Sequence, residues 1–220
     1  MRFLKTLAIV SRKGGAGKTT LALHLAVAAE AGGITTALFD LDNQASASLW
    51  ADRRGEPFPA VRPAQAPRLP LLLDQARAQK AALAIVDTPP EADAIAGAAT
   101  ENADAILIPC RPSALDLGAI NNSVRIARHS GKPFFVVVSA APVQGREVEE
   151  MRASLAASKI EVAPIVLHQR KAYAAWMQQG RTAQEIEPNG KAAAEIRELL
   201  LWCCEKVIML PRQQIRKLIR

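Results

Sequence analysis

Residues 13–20 combine three glycines, two lysines and two threonines in the order Lys-Gly-Gly-Ala-Gly-Lys-Thr-Thr. Glycines have no Cβ, so the backbone can curl and point successive N–H groups inward, which creates a site for an anion. A lysine and a hydroxyl at the end of such a loop add a positive charge and a ligand for Mg²⁺. The pattern therefore predicts a loop that binds the phosphates of a nucleotide. The predicted contacts are Gly14, Gly15, Ala16, Gly17, Lys18, Thr19 and Thr20.

The loop departs from the standard G-x-x-x-x-G-K-[ST] pattern at its first position, which is Arg12 instead of glycine. Lys13 precedes the glycines instead, which defines the deviant form of the phosphate-binding loop. Lys18 is expected to contact the β- and γ-phosphates, and Thr19 is expected to ligate Mg²⁺. From the residues alone, Lys13 adds a further positive charge near the phosphates.

Two apolar segments end in aspartates that would complete this site. Residues 34–40 lead to Asp40 and Asp42, and residues 83–87 end in Asp87. Because ligands bind at the carboxyl ends of strands in open α/β sheets, these acids are expected at the edge that carries the loop. Asp87 is predicted to hold Mg²⁺ and Asp42 to position the attacking water. An aspartate in such a place can also simply cap the next turn.

The elements that must position these residues alternate along the chain. Short, nearly continuous apolar runs are typical of strands buried on both faces of a parallel sheet, and they occur at residues 7–10, 83–86, 105–108 and 134–138. Alanine-rich helical stretches alternate with them at residues 18–31, 115–129, 145–157 and 190–208. We therefore predict an α/β protein with a mostly parallel twisted sheet covered by helices on both faces.

Five prolines in residues 55–70 exclude a helix or a central strand, so this segment is expected to be a surface loop inside the domain. The 220 residues suit one domain at 1–210, followed by a basic tail at 211–220. The three cysteines have no C-x-x-C spacing and are expected to be reduced thiols. No apolar run reaches the length of a membrane-spanning helix.

Several segments together resemble the ParA/MinD family of ATPases. They are residues 13–20, 38–44 (Leu-Phe-Asp-Leu-Asp-Asn-Gln), 85–90 (Ile-Val-Asp-Thr-Pro-Pro), 108–113 and 168–173. The resemblance covers nearly the whole chain and is greatest to the short ParA proteins, which partition plasmids or chromosomes and lack an N-terminal helix-turn-helix. It implies the P-loop NTPase fold of the deviant Walker A type, with ATP and Mg²⁺ as cofactors.

The resemblance also implies a weak ATP hydrolase that a partner and DNA stimulate. In this family the ATP-bound protein forms a homodimer that coats DNA non-specifically, and a ParB-like protein at a centromere-like site releases it. Lys13 would then act catalytically on the partner's nucleotide, together with Lys18 and the switch acid Asp42. Two positions differ from the family's frequent pattern: Asn43 stands where proline is common, and Ser11 where asparagine is common.

Basic residues exceed acidic ones by 7 (28 − 21), and four of them lie near the end of the chain: Arg212, Arg216, Lys217 and Arg220. As a helix, the tail would present an arginine stripe beside an apolar arc of Ile215, Leu218 and Ile219. The favoured interpretation is a non-specific DNA contact in a cytoplasmic, nucleoid-associated protein. A solvated, frayed end and a MinD-like membrane-surface helix are the alternatives for the tail. The membrane is the less favoured of the two partners, because the arc is small and has no aromatic anchor.

Two further functions remain open from the residues alone. One is a metabolic or redox member of the same superfamily, which would need cluster-ligating cysteines. The other is a nucleotide-gated interaction protein with almost no hydrolysis.

Overall fold

The structure is a computed structural model that describes residues 4–215 and Leu218. Seven strands form one sheet in the order β3-β2-β4-β1-β5-β6-β7, and every described pairing is parallel. The strands are β1 (Lys5–Ile9), β2 (Thr36–Asp40), β3 (Ala60–Pro63), β4 (Leu83–Asp87), β5 (Ala105–Cys110), β6 (Phe134–Ala141) and β7 (Val162–His168). The predicted α/β fold with a parallel sheet is confirmed.

Helices connect the strands and cover both faces of the sheet. They are α1 (Lys18–Ala31), α2 (Ser46–Arg54), α3 (Leu69–Ala78), α4 (Asp93–Glu101), α5 (Ala114–His129), α6 (Glu147–Ala157), α7 (Ala172–Ala175), α8 (Ala183–Ile186), α9 (Lys191–Trp202) and α10 (Arg212–Ile215). Short 3₁₀ turns lie at Ala66–Arg68 and Met177–Gln179, and α9 continues into a π-helical turn, Cys203–Val207.

The sheet separates two hydrophobic cores, because successive side chains of a strand point to opposite faces. On β1, Leu7 and Ile9 pack with α1, α2 and α9 on one face. Ala8 and Val10 pack with α3, α4, α5 and α6 on the other. The central strand is therefore buried from Thr6 onward, and the loop that follows it is anchored by both cores.

The proline-rich segment 55–70 is not a continuous surface loop, and this expectation was wrong in part. Residues Ala60–Pro63 form β3, which pairs in parallel with β2 and lies at one edge of the sheet. Proline is tolerated at an edge because its missing N–H faces away from the ladder. Helix α3 then begins at Leu69 with Pro70 in its first turn, where the missing N–H has no intrahelical partner in any case.

Two apolar residues near the end of the chain pack against the core that contains α1 and α9. Ile215 is buried, and Leu218 contacts this core. A Cβ added to Gly32 at the end of α1 would lie 2.4 Å from Leu218 Cδ2, so a larger residue there would displace the Leu218 side chain. Among the described residues, no helix is long and apolar enough to cross a membrane.

Candidate nucleotide site

The predicted phosphate loop connects the carboxyl end of β1 to the first turn of α1. Gly17 has φ +90° and ψ 22°, a left-handed conformation that favours glycine, and helix α1 starts at the next residue. The Gly17 carbonyl already accepts the first helical hydrogen bond, from Leu21 N at 2.8 Å. The loop therefore delivers its N–H groups and the positive end of the helix dipole to one place, which suits a phosphate.

Lys18 is a buried lysine at the start of α1, with 6% of its surface exposed. Its Nζ lies 3.4 Å from the carbonyl oxygen of Lys13, to which it donates a hydrogen bond. Burial lowers the pKa of Lys18, while the carboxylates of Asp87 and Asp42 partly offset that effect. This ammonium group lies next to two carboxylates and beside the phosphate-binding loop. It is therefore suited to neutralise the charge of a bound phosphate.

Asp87 ends β4 in register with Ile9 of β1 and Asp40 of β2. It is completely buried, yet neither of its carboxylate oxygens has a hydrogen-bond partner in the described part of the chain. Burial raises its pKa to about 7, and the neighbouring Thr19 hydroxyl and Lys18 ammonium offset only part of this rise. Buried unpartnered carboxylates are costly unless a cation pairs with them, so the two oxygens suit a hard ion such as Mg²⁺.

Asp40 and Asp42, which the sequence places together, have different surroundings. Asp40 is buried, and its carboxylate accepts hydrogen bonds from Asp42 N (3.1 Å), Ser48 N (3.0 Å) and Ser48 Oγ (3.1 Å). Asp42 is half-buried and accepts one bond, from Gln44 N at 2.9 Å. Asp40 therefore anchors the start of α2, whereas Asp42 retains acceptor capacity for a water or a ligand.

Lys13 pairs with an acid that the sequence pattern did not single out. Its Nζ lies 3.0 Å from Asp116 Oδ1 in the first turn of α5. Ser113 caps this helix by accepting from Asp116 N at 3.2 Å, and it also donates its hydroxyl hydrogen to the Asp116 carboxylate. Burial raises the pKa of Asp116, but the Ser113 and Lys13 contacts outweigh it and hold the pKa below its usual value. Lys13 and Asp116 are about a hundred residues apart, so no short spacing in the sequence links them. The only local signal is the Ser113 cap, which marks Asp116 as an acid in the first turn of a helix.

A cavity of about 330 Å³ adjoins the phosphate loop. Gly15, Ala16, Gly17 and Thr20 form one side, and the carboxyl ends of β6 and β7, the segments after β5 and β7, and helix α9 form the rest. Its walls are mostly apolar and include Leu21, Leu167, Ala174 and Ile196. The size and lining suit the base and sugar of a nucleotide whose phosphates lie on the loop.

Arg111 after β5 and Ser139 near the end of β6 tie this cavity to the phosphate loop. Arg111 lines it and donates to the Gly15 carbonyl, and Ser139 Oγ donates to Ala16 O at 3.2 Å. The segment 167–174 forms the opposite wall, which the residue pattern alone did not assign to the site. Residues after three different strands converge here because all strands run parallel and end at the same edge.

The predicted DNA contacts remain a prediction. Arg212 begins the short helix α10, but its side chain lies outside the described residues, as do Arg216, Lys217 and Arg220. Ile215 and Leu218 of the predicted apolar arc pack against the core of the domain. Those two residues are therefore not available as the apolar face of a membrane-surface helix.

A parallel sheet with a glycine loop after its central strand, a buried loop lysine and an orphaned aspartate on the adjacent strand defines a P-loop nucleotide-binding protein. Residues 7–183 match the CobQ/CobB/MinD/ParA nucleotide-binding domain family, and the chain belongs to this family. It is thus a ParA/MinD-type ATPase, and the predicted membership of this family is confirmed.

Individual relatives agree with this assignment. The chain is 32% identical to the maintenance of carboxysome distribution protein A of Gloeobacter kilaueensis over 204 residues, which cover 87% of this chain and 93% of the relative. It is 27% identical to the protein ParA of Rhizobium radiobacter over 205 residues, 88% and 91% of the two chains. The septum site-determining protein MinD of Pyrococcus horikoshii, solved with Mg-ADP, shares the fold with a TM-score of 0.72 at 17% identity, covering 90% of this chain and 95% of that one.

Proposed function

We propose that this protein hydrolyses ATP weakly, dimerises when ATP is bound, binds DNA non-specifically and drives plasmid or chromosome partition with a ParB-like partner. The observation that carries the proposal is the buried Asp87 carboxylate beside Lys18 and Thr19 at the end of a phosphate loop, whose oxygens have no hydrogen-bond partner among residues 4–215 and Leu218. The similarity to the Rhizobium ParA supports the partition role. The net charge of +7 supports a polyanionic partner.

The residues of the site have separable tasks in this proposal. The loop N–H groups and the Lys18 ammonium hold the phosphates, and phosphoryl transfer depends mainly on such positioning and charge stabilisation. Asp42 orients the attacking water through its free acceptor capacity. Thr19 and Asp87 would hold Mg²⁺, which supplies positive charge to the phosphate oxygens when bound.

Lys13 is the residue proposed to act across the dimer. In the single chain it is half-exposed and pairs with Asp116 at 3.0 Å, so it lies beside the phosphate loop without pointing into the buried pocket of Lys18. It can be withdrawn from Asp116 at a cost of about 1 kcal/mol, because the lysine is partly exposed and Ser113 still donates to the buried Asp116 carboxylate.

The test is Lys13→Ala. We expect it to bind ATP within about threefold of wild type, because one neighbouring surface charge contributes little to a buried phosphate site. ATP-dependent dimerisation in sedimentation experiments, and the hydrolysis linked to it, should be lost. Unchanged dimerisation and turnover in this variant would remove the role of Lys13 across the dimer.

Two control variants make the Lys13 result interpretable. Lys5→Ala removes a similar ion pair, to Asp104 at 3.3 Å, from the opposite end of β1 and should leave dimerisation unchanged. Lys18→Ala should lose nucleotide binding itself. A wild-type chain that binds no ATP in calorimetry would contradict the proposed function as a whole.

A second candidate is the positioning of a large cargo other than a plasmid or chromosome. The relative with 32% identity is named for the distribution of carboxysomes, which favours this role. Both candidates share the ATP-dependent dimer and the DNA contact, so only the partner separates them. Affinity capture by the ATP-bound protein should recover a centromere-binding protein in the first case and a cargo-associated protein in the second.

A further inference from the structure

Five hydrogen bonds, from the last residue of β7 and from the segment after it, converge on one carboxylate, that of Glu195 on α9. Oε1 accepts from His168 Nδ1 (2.8 Å) and from Arg170 Nε (2.9 Å) and Nη2 (2.6 Å). Oε2 accepts from the Tyr173 hydroxyl (2.8 Å) and from His168 N (3.2 Å). Only 12% of the Glu195 side chain is exposed. Both oxygens are therefore fully used in holding one short stretch of chain.

The carboxylate is ionised when it does this. Burial raises the pKa of Glu195, but hydrogen bonds from Arg170, His168 and Tyr173 outweigh burial and hold the pKa below its usual value. Charge-assisted hydrogen bonds to a buried carboxylate are shorter and stronger than neutral ones. The side chains of His168, Arg170 and Tyr173 are thus all held by one residue of a long helix, in addition to the backbone hydrogen bonds within the segment.

The residues that Glu195 holds form one wall of the cavity next to the phosphate loop. His168, Arg170 and Tyr173 line it, and so does Ile196, the neighbour of Glu195 on α9. The phosphate side of the cavity comes from the loop between β1 and α1, with which Glu195 forms no hydrogen bond in the described structure. The two sides of the cavity are therefore built by separate parts of the chain.

We propose that Glu195 is a positioning residue for the nucleotide base: it holds the loop after β7 in the shape that receives the base, without touching the phosphates. This inference rests on the proposed function of the cavity as a nucleotide site. A wall that is already in place when the ligand arrives spares the ordering cost of binding. Glu195 therefore contributes to ATP affinity through the base side alone.

The competing interpretation is that Glu195 only attaches α9 to the sheet. Such a role would weaken every ligand of the site and the fold together. A base-positioning role would weaken ATP while leaving tripolyphosphate, which has the phosphates but no base, unaffected. Comparing these two ligands separates the interpretations.

The experiment uses Glu195→Gln, which keeps the shape of the side chain. Its amide NH₂ group cannot accept hydrogen bonds from His168, Arg170 and Tyr173, as the carboxylate does. We expect the Kd for ATP in calorimetry to rise by roughly tenfold or more, because the base-side wall is no longer pre-organised. The Kd for tripolyphosphate should stay within about twofold, and KM for ATP should rise while kcat at saturation stays within about twofold. The matched control is Glu198→Gln, an exposed glutamate one turn further along α9, which should leave all four values unchanged.

Two outcomes would overturn the inference: an unchanged Kd for ATP in Glu195→Gln, or equal weakening of ATP and tripolyphosphate. If Glu195→Gln does not fold, Tyr173→Phe replaces it, because this change removes one donor to Glu195 and keeps the ring. It should weaken ATP by about threefold relative to tripolyphosphate, and no difference between the ligands would again overturn the inference. A wild-type chain that binds neither ligand would instead remove the proposed function and the inference together.

Discussion

Asp40 and Asp87 end neighbouring strands side by side, yet only the Asp40 carboxylate accepts hydrogen bonds from described residues. Asp40 accepts three hydrogen bonds, two of them from Ser48 at the start of α2. Asp87 is just as buried, and its oxygens have no partner among the described residues. A fold that keeps a carboxylate in this state loses stability whenever the group ionises, so Asp87 is retained at a cost that a bound cation would offset.

The cost at Asp87 predicts a pH dependence. Its folded pKa of about 7 exceeds the usual value of 3.8, so the group favours the folded state at low pH. This stabilisation is lost as the pH rises from 3.8 to 7, by roughly 4 kcal/mol in total. Asp87→Asn should therefore gain stability relative to wild type over that range, when urea unfolding is measured without nucleotide or Mg²⁺.

The matched control for this experiment is Asp74→Asn, because Asp74 is an exposed acid on α3. Its stability difference from wild type should vary by less than about 0.5 kcal/mol over the same range. A difference between wild type and Asp87→Asn that does not vary with pH would contradict the buried, ionisable state. The Asn variant should also lose the Mg²⁺ dependence of nucleotide binding.

Sequence patterns could predict which residues belong to the site, but not which of them are already hydrogen-bonded or ion-paired in the fold. The phosphate loop and the strand-terminal aspartates are local signals, and the structure brings Lys18, Thr19 and Asp87 together. Asp40 accepts hydrogen bonds only because α2 places Ser48 beside it. Asp116, which pairs with Lys13, and Glu195, which holds His168, lie much further along the chain than the phosphate loop. Long-range contacts of this kind leave no short spacing in a single sequence.

At the scale of elements, a buried histidine near the middle of α1 joins this helix to two neighbouring segments. His24 is fully buried there: its Nδ1 lies 2.8 Å from Thr20 O, and its Nε2 accepts from Ala183 N at 3.4 Å. The ring also packs edge-on against Tyr173, with centroids 5.2 Å apart. The helix that carries the phosphate loop is thus joined by one neutral imidazole to α8 and to the wall of the cavity.

The burial of His24 predicts a second pH dependence, opposite in sign to that of Asp87. Burial lowers its pKa to about 4 from 6.5, so the unfolded chain takes up the proton first as the pH falls. Stability should fall by about 3 kcal/mol between pH 6.5 and 4. His24→Phe keeps an aromatic ring, is less stable at neutral pH, and should lack this component in urea titrations. Equal pH dependence in wild type and variant would contradict a neutral buried imidazole.

Because the effects of His24 and Asp87 share a pH range and oppose each other, the wild-type curve should be flatter than that of either variant.

Gly180 shows how closely a connecting segment approaches α2. It has φ +67°, and a Cβ there would lie 2.3 Å from the backbone nitrogen of Arg54. Arg54 in turn donates to Gly180 O at 3.1 Å and pairs with Glu185 at 2.8 Å. The C-terminal end of α2 is therefore held against the segment that leads to α8.

Gly180→Ala should destabilise the fold by about 2–3 kcal/mol, because the added methyl meets backbone atoms and the φ value disfavours alanine. Thermal and urea unfolding measure the effect. Gly118→Ala on α5 is the control, because a Cβ there meets no atom within 4 Å and alanine favours a helix, so it should be neutral or stabilising by about 0.5–1 kcal/mol. Equal stability of the two variants would contradict the close approach at Gly180.

The strands that sequence reasoning missed are the two edges of the sheet, and the shorter helices, such as α2, α3 and α4, were missed as well. The central strands and the long helices were predictable because they read as continuous apolar runs and alanine-rich stretches. Strand β3 ends at Pro63, and β7 contains Pro164 and pairs with β6 through register shifts. Edge strands tolerate proline and irregular pairing, so their composition resembles that of loops.

At the scale of the whole molecule, the excess of 7 positive charges is the feature that bears on partners. If the four basic tail residues neutralise four phosphates, log K for DNA should fall with log salt at a slope of about −3.6. Affinity of the ATP-bound protein should then fall by roughly 150-fold between 50 and 200 mM salt. Fluorescence anisotropy with DNA of unrelated sequences checks both the slope and the lack of sequence preference.

A variant in which Arg212, Arg216, Lys217 and Arg220 become glutamine should lose this slope. Anionic vesicles serve as the second ligand in the same series. Vesicle binding without DNA binding would contradict the DNA role and favour the MinD-like alternative.

If the chain dimerises as proposed, the ion pair between Lys13 and Asp116 makes the free energy of dimerisation less favourable. Each subunit would exchange this internal contact for one with the other subunit, so two exchanges accompany every association event. At about 1 kcal/mol for each pair, the resting chain would disfavour self-association by roughly thirtyfold. Dimers of nucleotide-free subunits would then dissociate quickly. A long-lived dimer would form only when bound nucleotide offers its phosphates to Lys13 of each subunit in place of Asp116.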